Sequence, residues 1–211
     1  MARLQEMIEG YRRFRETGWT RERERWSELA EGQSPKIMLL ACSDSRVDPG
    51  LIFDAEPGQM FVVRNVANLA PPFETTGGYH GVSAALEFAV TQLEVEEILV
   101  LGHGFCGGCA AALTGQFDDA DHGEGHFIAA WVEMLDEARS KVRSMHPKLD
   151  REAFLAMEFE AVKVSLANLR TFPWVIEREA AGRLTLHGGH FSISEGRLYL
   201  LDEAEGEFRP V

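Results

Sequence analysis

The chain has no apolar run near the roughly 20 residues that a membrane-spanning helix needs, so no membrane span is expected. The opening residues, Met1-Ala2-Arg3-Leu4-Gln5-Glu6, carry no apolar core of the signal-peptide kind, and a cytoplasmic protein is expected. Basic charge is scarce. Lys and Arg number 21 against 34 Asp and Glu, and the formal net charge of -13 argues against nucleic acid or an anionic membrane surface as partner. Cysteine is scarce too. Three cysteines do not make a secreted disulfide framework, and in a reducing compartment Cys near His is more often a ligand or nucleophile than a crosslink. Internal repeats and low-complexity linkers are lacking. The 211 residues therefore read as one domain, with an N-terminal helical arm over 1–31 and an α/β core over 35–211.

What is present organises itself around two stretches. Lys36-Ile37-Met38-Leu39-Leu40 is a short apolar run that reads as a buried strand, and Ala41-Cys42-Ser43-Asp44-Ser45-Arg46 follows at its exit. Asp48-Pro49 then reads as an N-cap and the first residue of a helix. A second apolar run, Glu97 to Leu101, leads into Gly102-His103-Gly104-Phe105-Cys106-Gly107-Gly108-Cys109. Between them, Met60 to Val63 reads as a strand, and a helix is expected from Thr76-Gly77-Gly78 to about Leu93. In the arm, Leu4, Met7, Ile8, Tyr11 and Phe14 mark one helix face, Thr20 can cap a second helix to Leu29, and the interleaved Arg and Glu read as a solvated surface.

Further on, helices are expected over 126–145 and 151–172, the latter with a buried stripe of Leu155, Phe159, Val162, Leu166 and Leu169. Pro173 and Gly182 bound a short helix, and a hairpin closes the chain through Glu195-Gly196. His122 and His126 read as parts of an exposed acidic loop. Strands alternating with helices give an α/β fold with a mostly parallel sheet, order about 2-1-3-4, and an antiparallel C-terminal edge strand. Ligands collect at the carboxyl ends of such strands, where the order reverses.

Both stretches fall there. Zinc favours thiolate and imidazole in a tetrahedron, with one position left open in a catalytic site. His103 and Cys106 are spaced to reach one ion at a helix start, and Cys42 can supply the third ligand from the other strand. Cys109, one turn on, reads as a buried small apolar residue. Asp44 can be a fourth ligand, or it can accept hydrogen bonds from Arg46 and a metal-bound water.

Cys42-Ser43-Asp44-Ser45-Arg46 with Gly102-His103-(x2)-Cys106-Gly107-Gly108 resembles the β-class carbonic anhydrases. So do Phe61-Val62-Val63-Arg64-Asn65-Val66-Ala67-Asn68, Ala85 to Val90 and Leu186-His187-Gly188-Gly189, nearly the whole chain in all. The resemblance implies reversible hydration of CO2 to bicarbonate and a proton by a zinc-bound hydroxide. It implies one Zn2+ per chain on Cys42, His103 and Cys106, and a catalytic dyad of Asp44 and Arg46. Asp44 then takes the fourth zinc position only in the closed, inactive form. Gln33, Phe61, Val66, Phe88 and Gly102 match substrate-pocket positions of the plant-like branch, although that branch has tyrosine where Phe88 stands. The family also implies a homo-oligomer, at least a dimer, with the arm wrapping a second copy.

A regulated bacterial branch holds a non-catalytic bicarbonate on Trp, Arg and Tyr. Leu39, Arg64 and Phe191 stand at those positions here, so no such site is expected. Two thiolates cancel the charge of the ion, and turnover is expected to rise through mildly alkaline pH. His80 and His190 are the candidates for carrying the proton to buffer. Two alternatives stay open. The same fold can hydrolyse carbon disulfide or carbonyl sulfide. Gly102-x-Gly104-x-x-Gly107 literally matches a dinucleotide fingerprint, which would mean a nicotinamide oxidoreductase, although the acidic residue expected about 20 positions later is Phe127.

Overall fold

The computed structural model describes residues 2–76, 78–119 and 125–211. The chain divides into two compact units, one ending at Ser34 and one running Pro35–Val211. The first holds α1 (Ala2–Glu16), α2 (Gly18–Arg21) and α3 (Arg23–Glu31). Leu4, Met7, Ile8, Tyr11 and Phe14 line α1 and are all exposed, and Phe14 meets Trp26 edge-to-face at 5.8 Å. Thr20 does not cap a helix. It lies inside α2, where its hydroxyl donates back to the Arg15 carbonyl at 2.9 Å, and the following helix starts only after Glu22.

In the second unit six strands form one sheet, β1 (Ile37–Cys42), β2 (Met60–Asn65), β3 (Glu97–His103), β4 (Thr185–Ser192), β5 (Arg197–Asp202) and β6 (Glu207–Pro210), in the order β2-β1-β3-β4-β5-β6. The first four are parallel and the last two antiparallel. This is the expected mostly parallel sheet with one strand more. The edge strand β6 has only Phe208 as an apolar residue between Glu207 and Arg209, so alternation does not announce it, and Pro210 closes the edge without a donor to offer.

The chain leaves β1 toward β2 on one side and reaches β3 on the other, so order reverses at the carboxyl ends of β1 and β3. There Cys42 pairs with Asn65, Ala41 with Leu101, and His103 with Phe191.

The helices of this unit are α4 (Pro49–Ile52), α5 (Gly81–Glu87), α6 (Gly107–Thr114), α7 (His126–Val132), α8 (Asp136–Met145), α9 (Arg151–Leu169) and α10 (Pro173–Ala180). Asp48 caps α4, its carboxylate accepting from Leu51 N at 3.2 Å. The helix expected from residue 76 begins at Gly81. Before it the His80 ring lies 3.0 Å from the Thr76 carbonyl, and α5 ends in a wide π turn over Phe88–Gln92. The segment expected as one helix over 126–145 is broken by a 3-10 turn at Glu133–Leu135.

Of the stripe expected on α9, Val162, Leu166 and Leu169 are buried while Leu155 and Phe159 are only half-buried, and the helix buries a second set instead. Val162, Leu166 and Leu169 join one apolar cluster with Met38, Leu40 and Val100, while Ala153, Met157 and Ala161 join another with Leu69, Cys106 and Leu113. Glu158 lies at the seam, 2 % exposed. Among the described residues no helix is long and apolar enough to cross a membrane.

Candidate metal centre

Strand β1 ends in Cys42 and β3 ends in His103, and Cys106 is the N-cap residue of α6. One ligand atom from each lies within 4.8 Å of the others, and all three residues are buried. The two sulfurs are 4.0 Å apart. A tetrahedron with zinc–sulfur bonds of about 2.3 Å sets its sulfurs about 3.8 Å apart, so the pair already stands at coordination spacing.

The imidazole is oriented for the same task. Its Nδ1 meets the Gly104 carbonyl at 2.9 Å, and since a carbonyl only accepts, Nδ1 carries the proton. Nε2 is thereby left as a lone pair, buried and without a hydrogen-bond partner among the described residues. A buried unsatisfied acceptor between two thiols is costly unless it is a ligand, so the donor set fits a zinc ion. The hydrogen bond to Cys106, together with burial, pushes the Cys42 thiol up to about 12. Cys106 is raised as well, by Cys109 first and by burial, and the metal-free pair is protonated.

Asp44 and Arg46 stand beside this set. Asp44 Oδ1 accepts from Arg46 N and Nε, each at 2.9 Å, and Oδ2 accepts from Arg46 Nη2 at 2.6 Å. Those bonds hold the Asp44 carboxyl far below the usual carboxylate range. Oδ2 lies 4.0 Å from His103 Nε2, so an ionised oxygen faces the ligand set.

Arg64 fastens the loop from below. It donates to the carbonyls of Cys42 (2.9 Å), Asp44 (2.7 Å) and Val47 (3.1 Å), and pairs with the Asp48 carboxylate at 3.0 Å. Both terminal nitrogens and Nε are therefore occupied by the loop that carries Cys42.

The second ligand loop has a support that sequence reading missed. Phe105 has φ +60, a left-handed conformation unusual for a bulky residue. Its N–H donates to Glu158 Oε1 at 2.7 Å, and its carbonyl accepts from Arg46 Nη2 at 2.9 Å. Glu158 also accepts from Arg151 at 2.9 and 3.1 Å and from His190 Nε2 at 3.0 Å. Burial raises the Glu158 carboxyl, but the bonds from His190 and Arg151 outweigh it, and the net direction is down. The signal in the sequence was a carboxylate between Met157 and Phe159 on an otherwise buried helix face. His190, a candidate proton carrier, is enclosed in this network at 1 % exposure, with its ring 5.0 Å from that of Phe159. His80 is exposed at the start of α5.

The pocket candidates come from different elements of the chain. Val66 lies against α6, where a Cβ on Gly108 would meet it at 2.7 Å. Phe61 and Phe88 form a ring pair at 6.0 Å, and Phe88 is 45 % exposed. The side-chain face of Gly102 is closed by Val162 of α9, 2.8 Å from where a Cβ would stand, so the glycine lets helix and strand pack. Gln33 is exposed on the segment that ends the N-terminal unit. A cavity of about 380 Å³ opens beside the second ligand loop, lined by Phe105, Cys106, Ala110, Leu149 and Phe154 among others.

Cys109 is buried. His126 opens α7 beside Phe127, and His122 lies outside the described residues. His146, Asp150 and Glu152 also gather within 4.8 Å, but none of them is buried and Asp150 is used in capping α9.

The family model described as carbonic anhydrase matches residues 37–198. Among curated proteins, the mitochondrial beta carbonic anhydrase 6 of Arabidopsis thaliana is 37% identical over 194 residues, covering 91% of this chain and 65% of its own length. The chain thus spans just under two thirds of that relative. Among solved structures, the β-carbonic anhydrase CcaA superposes with a TM-score of 0.92 at 31% identity, over 100% of this chain and 93% of that one. A tetrameric β-carbonic anhydrase of Sordaria macrospora gives 0.80 at 28% identity, over 96% and 98%. The glycine pattern at residues 102–107 thus lies within the family match and does not mark a dinucleotide fold.

Proposed function

The chain belongs to the β-carbonic anhydrase family, and from that footing we propose that it catalyses the zinc-dependent, reversible hydration of carbon dioxide to bicarbonate and a proton. The observation that carries the reading is the buried set of Cys42, His103 and Cys106, with its partnerless Nε2, facing an ionised Asp44. When bound, zinc supplies a Lewis acid that brings the ionisation of a coordinated water toward neutral pH.

The chain supplies the rest. Two thiolates and a neutral imidazole cancel the charge of a divalent ion and hold it in a dry site. Asp44 Oδ2, kept ionised by Arg46, accepts a hydrogen bond and so turns a proton-bearing nucleophile toward the substrate. Arg46 bridges both ligand loops, through Asp44 on one and the Phe105 carbonyl on the other. Substrate is small and apolar. Val66, Phe61 and Phe88 of the sheet unit supply apolar wall for it. With Arg64 engaged by the Cys42 loop, and with Leu39 and Phe191 where the regulated branch has Trp and Tyr, we expect bicarbonate not to bind at Arg64.

The exposed row Leu4, Met7, Ile8, Tyr11 and Phe14 gives α1 an apolar face for a second copy, so a dimer or a larger homo-oligomer is the working form. Three unpaired cysteines suit a reducing compartment such as the cytoplasm.

The test is zinc content together with stopped-flow CO2 hydration of wild type and Asp44→Ala. We expect about one zinc per chain, turnover that rises from pH 6 to 9, and a large loss in the variant. A wild-type chain without zinc, or without hydration activity when loaded, overturns the reading.

A further inference from the structure

We infer that Glu158 is a positioning residue for the metal centre, acting through the backbone of Phe105. The inference rests on the metal reading above. Phe105 sits between the ligands His103 and Cys106, and its main chain is strung between two charged groups. Below, Glu158 takes its N–H at 2.7 Å. Above, Arg46 takes its carbonyl at 2.9 Å. Both bonds are made with Phe105 at φ +60, a conformation that costs a bulky residue free energy and that these two bonds help to offset.

Glu158 is built to make the first of these bonds. Its carboxylate is 2 % exposed yet has both oxygens satisfied, Oε1 by Phe105 N and Arg151, and Oε2 by Arg151 and His190. Arg151 adds a second grip, since its guanidinium lies 4.2 Å from the centre of the Phe105 ring. If the carboxylate goes, the Phe105 N–H loses a charged acceptor and the left-handed conformation loses one of the two bonds that offset its cost. Relaxation of φ swings the 105–106 peptide, which takes the carbonyl off Arg46 and moves Cys106. One residue on α9 thus sets both the ligand loop and the guanidinium that orders Asp44.

The alternative is that Glu158 only stabilises the fold. Glycine at 105 separates the two, because glycine adopts positive φ without cost. The experiment is a double-mutant cycle of Glu158→Gln and Phe105→Gly on the full chain. It is read by zinc retention against a chelator and by the thiolate-to-metal and d–d bands of the cobalt-substituted protein. We expect Glu158→Gln to weaken zinc retention about 10–100-fold, as loss of a support behind metal ligands does, and to shift the cobalt bands. In the Phe105→Gly background the same change should cost less than about a third of that factor. Glu160→Gln, two residues along α9 and paired with Lys141 and Lys163, should leave retention unchanged.

An equal cost in both backgrounds, or no cost in either, overturns the inference. Where Glu158→Gln fails to fold, Arg151→Met decides. Its side chain is 43% exposed, and it should fold and show a smaller loss in the same direction; unchanged retention would count against the clamp. A wild type that hydrates CO2 beside a Glu158→Gln variant equal to it sinks this inference alone. A wild type that holds no zinc sinks the centre, and this inference with it.

Discussion

Gly107 and Gly108 open the same helix, yet they should respond to alanine in opposite ways. A Cβ on Gly107 meets nothing within 4 Å, whereas on Gly108 it would stand 2.7 Å from Val66 Cγ1 and 2.9 Å from Ala67 Cβ. Both substitutions gain about 0.5–1 kcal/mol from removing glycine's backbone freedom within a helix. That gain cancels in the comparison, and the difference between the variants isolates the clash. Val66 is partly exposed and its side chain can turn, but Ala67 cannot retreat. Ala67 is fully buried at φ +63, and the Asn65 side chain clamps the turn by bonds to Leu69 O (2.8 Å) and Leu69 N (2.9 Å). Forcing a methyl into such a site costs about 1–3 kcal/mol. At about 2–4 °C per kcal/mol for a chain of this size, Gly108→Ala should melt about 2–12 °C below Gly107→Ala. The assay is thermal unfolding followed by circular dichroism, with and without zinc. Equal melting temperatures would refute the reasoning, because they would mean that α6 and the Val66 turn can part without loss.

Arg64→Lys should lower stability by about 1–3 kcal/mol and weaken zinc retention, since a lysine cannot reach three carbonyls and Asp48 together; unfolding and chelator competition check this. Asp44 titrates below the ordinary carboxylate range, so its ion pair contributes fully above about pH 4, the unfolded value, and is lost as pH falls through the folded one. The stability gap between wild type and Asp44→Asn should therefore stay flat from pH 5 to 8 and narrow only below about 4; a gap that titrates between 5 and 7 speaks against a held carboxylate. Zinc binding must ionise two raised thiols, Cys42 at about 12 and Cys106 raised as well, so it should release two protons per ion. Apparent affinity then rises about a hundredfold per pH unit near neutrality, and calorimetry in buffers of different ionisation enthalpy measures it; release of fewer than one proton would refute it.

The parts of the fold that were legible are those where composition and period agree. Strands β1 and β3 are continuous apolar runs because they are covered on both faces, and Pro173 and Gly182 punctuate α10 by their own backbone chemistry. What was not legible depends on partners. Strand β6 exists because β5 offers an edge and not because Glu207-Phe208-Arg209-Pro210 prefers to extend. The wide turn at Phe88–Gln92 changes the hydrogen-bond step without changing composition, so a 3.6 period runs through it unseen.

The same division runs through the centre. Cys42, His103 and Cys106 announce themselves because thiol and imidazole are scarce and their spacing is chemical. The residues that aim them do not, since an arginine or a glutamate has an ordinary surface reading until its partners are known. Arg64 is 22 residues from Cys42, and Glu158 is 53 from Phe105. Both act on backbone atoms, which carry no letter in the sequence. A metal loop is thus specified twice, once by the donors that name the ion and once by distant charges that hold the peptide in an unfavourable turn. Only the first is written where it acts. That is why exchanging residue 158 should change the metal's coordination geometry although none of its atoms belongs to the donor set.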